Sequence, residues 1–108
     1  MKTIIVDLDG TICEERSTFE RALAQPLPGA ASYLEKLWEE GCHIIIYTTR
    51  NWSEYPMTKH WLTVHHIPHH QLICGKPLGD VWIDDRAVRF KSWDQIEEDL
   101  ADILTGEK

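Results

Sequence analysis

Four aspartates stand in two close pairs, Asp7 with Asp9 and Asp84 with Asp85, and each pair ends a short apolar run. Carboxylates gathered in one place repel each other and are driven toward their neutral forms unless a cation offsets them. A hard divalent ion meets that need. Mg2+ suits it because it accepts one or two carboxylates, keeps several waters and takes a phosphate oxygen. Thr48 and Lys76 also follow apolar runs. A lysine ammonium is a point charge for phosphate oxygens, and a threonine hydroxyl can donate to the same group. Phosphoryl transfer asks mainly for in-line positioning and charge neutralisation. The set points to phosphate chemistry, with Mg2+ as the expected cofactor and a small phosphorylated molecule as the expected partner.

These residues are far apart in the chain, so a fold must gather them. Thr3 to Leu8 is an apolar, β-branched run that predicts a buried strand of a parallel sheet. Pro28-Gly29 opens a helical pattern carried by Ala31, Leu34, Leu37 and Trp38, and Gly41 stops it. Cys42 to Tyr47 predicts a second strand, residues 56 to 65 a helix with Trp61, Leu62 and Val64 inward, and Gln71 to Cys74 a third strand. Val81-Trp82-Ile83 predicts a fourth strand that ends in Asp84-Asp85. Ser92, with Gln95 three residues on, predicts a capped final helix whose apolar face holds Ile96, Leu100, Ile103 and Leu104. Strands alternating with helices argue for one α/β domain over residues 1–108, a Rossmann-like three-layer sandwich with a central parallel sheet and helices on both faces. In open α/β sheets the carboxyl ends of the strands form the ligand crevice. The acid pairs, Thr48 and Lys76 would meet on that rim.

The run Asp7-Leu8-Asp9-Gly10-Thr11 after a buried strand resembles the signature of the haloacid dehalogenase superfamily. Ile44-Ile45-Ile46-Tyr47-Thr48-Thr49-Arg50, Gly75-Lys76-Pro77 and Val81-Trp82-Ile83-Asp84-Asp85-Arg86 follow in the order that family uses. The resemblance covers about residues 3 to 90 and implies a two-step phosphohydrolase. Asp7 would attack phosphorus and become an aspartyl phosphate. Asp9 would protonate the leaving alcohol and then deprotonate the incoming water. The metal would be held by Asp7, the Asp9 backbone carbonyl and chiefly Asp85, with Asp84 as an additional ligand. Phosphate binding would fall to Gly10, Thr48, Thr49 and Lys76, and Thr11 stands beside them. A carboxylate at Asp9 marks phosphatases in this superfamily, which argues against dehalogenation.

Neither the sixteen or so residues between Asp9 and Pro26 nor the stretch from Arg50 to Lys76 leaves room for the cap domain many members carry. A capless site is open, so selectivity would come from residues 12 to 27, from Arg50 to Tyr55, or from a second copy of the chain. Ala24-Gln25-Pro26-Leu27-Pro28 and Ile83-Asp84-Asp85-Arg86-Ala87 resemble bacterial capsule and polysaccharide biosynthesis phosphatases, for which a sugar phosphate is the expected substrate. The phosphatase domains of polynucleotide kinases end similarly, which keeps an oligonucleotide 3′-phosphate open. The formal charge of −7 disfavours nucleic acid. A receiver-type signalling module would order its acidic residues differently, and a non-catalytic scaffold would have no need of the complete set.

Arg50, Asn51 and Arg86 flank the motifs and are candidate contacts to substrate, or equally counter-charges to the acids. Trp52 and Tyr55 are candidate platforms for a ring or a packing pair. Trp38, Trp61, Trp82 and Trp93 read as core. The run His65-His66-Ile67-Pro68-His69-His70 suggests metal, but adjacent histidines at a helix end point different ways and no nearby ligand completes a set. Cys13, Cys42 and Cys74 are odd in number and widely spaced, so free thiols in a reducing compartment are expected. The first eight residues are too short for a signal peptide or a membrane span, and the expected location is the cytoplasm.

Overall fold

The computed structural model describes residues 2–105; Met1 and residues 106–108, which the single-domain expectation includes, lie outside the described residues. Strand β1 (Thr3–Val6), helix α1 (Ala30–Glu39), strand β2 (His43–Tyr47), helix α2 (Tyr55–Val64), strand β3 (Gln71–Ile73) and helix α3 (Trp93–Leu104) follow in that order. Short 3-10 turns at Thr18–Leu23 and Trp52–Glu54 precede α1 and α2. The chain is thus a small α/β protein. No described helix is long and apolar enough to cross a membrane.

The three strands are parallel and lie in the order β1-β2-β3. Their register explains the burial. Ile4 pairs with Ile44, Val6 with Ile46, and Ile46 with Leu72, so these side chains share one face. Val6, Ile44, Ile46 and Leu72 are all buried. Ile5, Ile45 and Gln71 form a row on the opposite face, where Ile5 and Gln71 are exposed and Ile45 half-buried. Right-handed crossovers through α1 and α2 place both helices on the same side of a sheet with this strand order. The sheet therefore has one covered face and one that is partly open, not helices on both faces as the sequence predicts.

Helix α1 buries Ala30, Tyr33, Leu34 and Leu37. Removing a Leu or Ile side chain from water contributes roughly 1.5–3 kcal/mol, so this stripe and the buried strand residues supply most of the driving force. Helix α3 docks beside α1. Tyr33 and Trp93 bring their rings within 6.0 Å, and Lys36 pairs with Glu97 at 2.6 Å. Ser92 caps α3 as its sequence predicts, its hydroxyl accepting the Gln95 N–H at 3.2 Å. The reciprocal half of the capping box is missing because the Gln95 amide turns to Asp99 instead. Trp61 on α2 donates its indole N–H to the Ala24 carbonyl at 2.9 Å, which holds the 3-10 turn of residues 18–23 against α2.

The fourth strand is not formed. Val81, Trp82 and Ile83 form no regular secondary structure and stand 74%, 54% and 95% exposed, leaving β1 at an edge of the sheet. Two local interactions compete with the ladder. The Trp82 ring lies 5.0 Å from Lys76 Nζ, and the Asp84 carboxylate accepts the backbone N–H of Arg86 at 2.8 Å, a turn-forming bond. Trp82 and Trp38 are therefore not core, and Val64 is exposed too; Trp61 and Trp93 are buried as expected.

Candidate active site

The site begins where β1 runs out. Alternation along the extended chain sends Leu8 inward, fully buried, while Asp7 and Asp9 face a pocket. The chain then turns sharply at Gly10, whose φ of 82° suits a residue without a Cβ. The Leu8 carbonyl accepts N–H groups from Thr11, Ile12 and Cys13, which locks the turn. The pocket has a volume of about 210 Å³. Asp7, Asp9, Glu15, Thr49 and Lys76 make its polar wall, and Pro77, Leu78, Gly79 and Trp82 the other side.

Each of the two acids has a basic partner. Lys76 Nζ stands 3.7 Å from Asp7 Oδ1. Burial pushes the Asp7 carboxyl above its ordinary range, Lys76 and the Leu8 backbone pull it back, and Asp9 adds to the rise. Lys76 is itself held by its loop, since its N–H donates to the Thr48 carbonyl at 2.9 Å and its ammonium sits between the Tyr47 and Trp82 rings. Asp9 meets Arg50, which donates from Nη2 to Oδ1 at 2.7 Å and from Nε to Oδ2 at 3.0 Å. The Cys13 thiol is pushed up to about 12 by burial and by Asp9, so it stays protonated and donates toward Asp9 Oδ1 at 3.7 Å.

The expected residues fall into two groups. Asp7, Asp9, Thr49 and Lys76 line the pocket. Thr48 is next to it in sequence but fully buried, and its hydroxyl accepts the Arg50 N–H at 3.2 Å. The bond ties Thr48 into the strand-end turn and away from the pocket wall. Gly10 shapes the turn without lining the pocket, and Thr11 uses its carbonyl to accept the Trp93 indole N–H at 2.8 Å. Arg50 is buried with only 1% of its side chain in solvent, so it is no substrate contact. Asn51 donates its N–H to Glu54, which also pairs with Arg21 at 2.6 Å. Asp84, Asp85 and Arg86 are exposed outside the pocket, because the segment carrying them does not join the sheet.

That placement bears on the expected magnesium site. Asp7 is a usable ligand and the Asp9 backbone carbonyl is the second expected donor, but the Asp9 side chain is paired with Arg50, and neither Asp85, the chief expected ligand, nor Asp84 reaches the pocket. No group of three His, Cys, Asp or Glu side chains among the described residues is placed to hold a metal. The donor set as arranged does not fit the expected Mg2+ site, since two basic side chains already neutralise the two carboxylates. The histidine run forms no such group either. His65 packs on Trp61, and His69 and His70 are engaged in hydrogen bonds and ring stacking.

Sequence reasoning missed Cys13, Glu15, Thr58 and Trp82 as parts of the site. Thr58 lies on α2, fully buried, and accepts from Arg50 Nη1 at 3.0 Å. A polar residue on the inward face of a predicted helix was the available signal for it. Trp82 was hidden by its place in an apparent strand.

No family model matches the sequence, and no curated protein does. Among solved structures, a structural-genomics target from Vibrio cholerae is similar over the full length of both chains, at 28% identity and a TM-score of 0.77. A chain of the Pnkp1/Rnl/Hen1 complex is similar over 92% of this chain and 33% of its own length, at 19% identity and a TM-score of 0.62. This chain spans about a third of that second structure, and the likeness is one of fold.

Proposed function

We propose that the protein hydrolyses phosphate monoesters through an aspartyl phosphate on Asp7. The observation that carries this reading is the pairing of Asp7 with Lys76 at 3.7 Å on the wall of an open pocket, with Thr49 and Asp9 beside them. A phosphate seated on Lys76 would present its phosphorus to the Asp7 carboxylate. An Asp7 oxygen bonds to phosphorus, the bond from phosphorus to the leaving oxygen breaks, and Asp9, which must have taken up a proton from solvent in the reactive complex, gives that proton to the leaving oxygen. Water then bonds to phosphorus and loses a proton to Asp9, and the Asp7–phosphorus bond breaks to release phosphate. No step is routed through Mg2+, because the donors are not gathered for it. Dependence on the ion is left to measurement.

The substrate proposed is a small phosphorylated molecule such as a sugar phosphate, which an open and partly apolar pocket accommodates. An oligonucleotide 3′-phosphate is the second reading, supported by the fold likeness to a chain of the Pnkp1/Rnl/Hen1 complex and opposed by the net charge of −7. The test is phosphate release from an aryl phosphate, from sugar phosphates and from a 3′-phosphorylated oligonucleotide, each with and without Mg2+. Turnover by the wild type that Asp7→Asn abolishes is the expected result. No turnover under any condition, or full turnover by Asp7→Asn, overturns the proposal.

A further inference from the structure

Arg50 is one of the largest fully buried side chains, and a buried guanidinium must be matched by hydrogen-bond acceptors. Its acceptors are specific. Nε and Nη2 take the two oxygens of Asp9, Nη1 takes the Thr58 hydroxyl, and Cys13 Sγ lies 4.0 Å from Nη2. Burial opposes the charge on Arg50, and the Asp9 carboxylate more than offsets this, so the guanidinium is pushed up. Its backbone is tied as firmly. The N–H donates to Thr48 and the carbonyl accepts from Gly75 at 2.8 Å, which joins the ends of β2 and β3. Arg50 therefore couples the turn after β1, helix α2 and the lysine loop through one side chain.

We infer that Arg50 is the positioning residue for Asp9, and that it selects Oδ2 as the oxygen that exchanges the proton. This inference rests on the phosphatase reading and deepens it. A carboxylate offers about four lone-pair sites. Oδ1 receives Arg50 Nη2 and lies 3.7 Å from the Cys13 thiol, whose single proton is shared between it and the Leu8 carbonyl at 3.8 Å, whereas Oδ2 receives Arg50 Nε alone. Oδ2 keeps a free site, and 12% of the Asp9 side chain remains open toward solvent and the pocket. A bidentate fork fixes the plane of the carboxylate as well as its place, which a lysine ammonium does not do. Thr58 holds the far end of the fork, so α2 sets its direction.

A positioning role and a plain structural role differ in what they do to the leaving group. A nitrophenolate departs with little help from an acid, whereas an unsubstituted phenolate needs the proton that Asp9 delivers. The two substrates, 4-nitrophenyl and phenyl phosphate, are nearly the same shape. The experiment measures single-turnover phosphoryl transfer to the enzyme from both, in wild type, Arg50→Lys and Thr58→Val, with thermal melts to confirm folding. General acid catalysis contributes on the order of 10²–10⁴ in rate. Arg50→Lys is expected to slow the phenyl ester about 100-fold and the nitrophenyl ester less than about 10-fold, with KM within about 3-fold for both. Thr58→Val is expected to move the ratio of the two rates in the same direction by about 3-fold, and it keeps the test alive should Arg50→Lys fail to fold. Equal slowing of both esters in a folded variant overturns the inference and leaves the phosphatase reading standing. A raised KM with kcat unchanged also overturns it, since Arg50 would then be holding the phosphate. A wild type inactive on both esters and on the sugar phosphates and oligonucleotide of the first test removes the phosphatase reading and this inference with it.

Discussion

Lys76 Nζ lies 3.7 Å from Asp7 Oδ1, its side chain is largely buried, and its ammonium stands 5.7 Å from the Tyr47 ring and 5.0 Å from the Trp82 ring. The ammonium is thus fixed where an incoming phosphate would meet it, beside the proposed nucleophile. Replacing Lys76 with Met keeps the packing and removes the charge. Electrostatic groups of this kind are typically worth about 10²–10³ in kcat, and a fall of that size is expected. A second consequence concerns pH. Asp7 must be ionised to attack, burial raises its pKa, and Lys76 opposes the rise. Without Lys76 the pKa moves further up, so the acid limb of the kcat/KM profile should shift to higher pH. A profile that stays in place would show that Lys76 does not act on Asp7.

The same carboxyl bears on stability. A folded-state pKa above the unfolded one means that the native chain binds the Asp7 proton more tightly than the unfolded chain does. Stability is then lost as pH rises from the unfolded pKa through the folded one, and neutral pH lies above that window. Asp7→Asn removes the charge that burial penalises. Its Tm at pH 7 should rise by about 1–3 °C while turnover falls to background, and at pH 3 the difference should vanish. Differential scanning calorimetry at the two pH values is the check. A lower Tm at pH 7 would mean that the ion pair with Lys76 outweighs the burial of the charge.

Most of this arrangement was legible where local chemistry and burial agree. The first three strands and three helices of the sequence reading are present, because each apolar run or stripe has a partner to cover it. The Ser92 cap followed from its spacing to Gln95, and the placement of Asp7, Asp9 and Lys76 at one pocket from the ends of the apolar runs. Val81 to Ile83 failed that logic. Hydropathy marks it as a strand, but pairing is a long-range event, and the Trp82–Lys76 and Asp84–Arg86 contacts act locally against it. With it, Asp84 and Asp85 stay outside the pocket. Thr48 and Arg50 failed for another reason. Residue type tells that a group can donate or accept, and the fold decides whether the partner is a substrate or a neighbour. The hydroxyl went to a turn, and the guanidinium went inward to Asp9.

Gly75 precedes Lys76 and controls where the lysine loop leaves the sheet. Its φ is 80°, and a Cβ there would stand 3.1 Å from Trp52 Nε1. Gly75→Ala meets both backbone strain and a close contact, and should cost about 1–3 kcal/mol. The two parts are separable by a double-mutant cycle. Trp52→Ala removes the contact but leaves the φ unchanged, so Gly75→Ala should cost less in that background and still more than zero. Urea midpoints of the four proteins measure this. Additive single effects would show that Trp52 moves aside freely, which its exposed surface permits.

The loop before β3 makes the fold sensitive to acid. His69 donates from Nδ1 to the Ile67 carbonyl at 2.9 Å, while Nε2 lies 2.7 Å from the Lys59 ammonium and accepts from it. Only the neutral ring can do both. Burial lowers the His69 pKa, Lys59 and His70 lower it further, and the Ile67 bond opposes them. The native chain therefore binds fewer protons here than the unfolded chain, whose histidine titrates near 6.5. Stability holds above that pH and is lost as pH falls from about 6.5 toward the folded value. Neighbouring His70 accepts the Ile44 N–H on Nδ1 at 3.0 Å, and its ring is stacked between Trp38 and His43. Urea unfolding between pH 7.5 and 5.5 should show a falling midpoint. His69→Gln loses about 1 kcal/mol at pH 7.5 through its altered hydrogen bonds, and its midpoint should fall less steeply with acid than that of the wild type. Parallel slopes for the two proteins would place the acid sensitivity elsewhere.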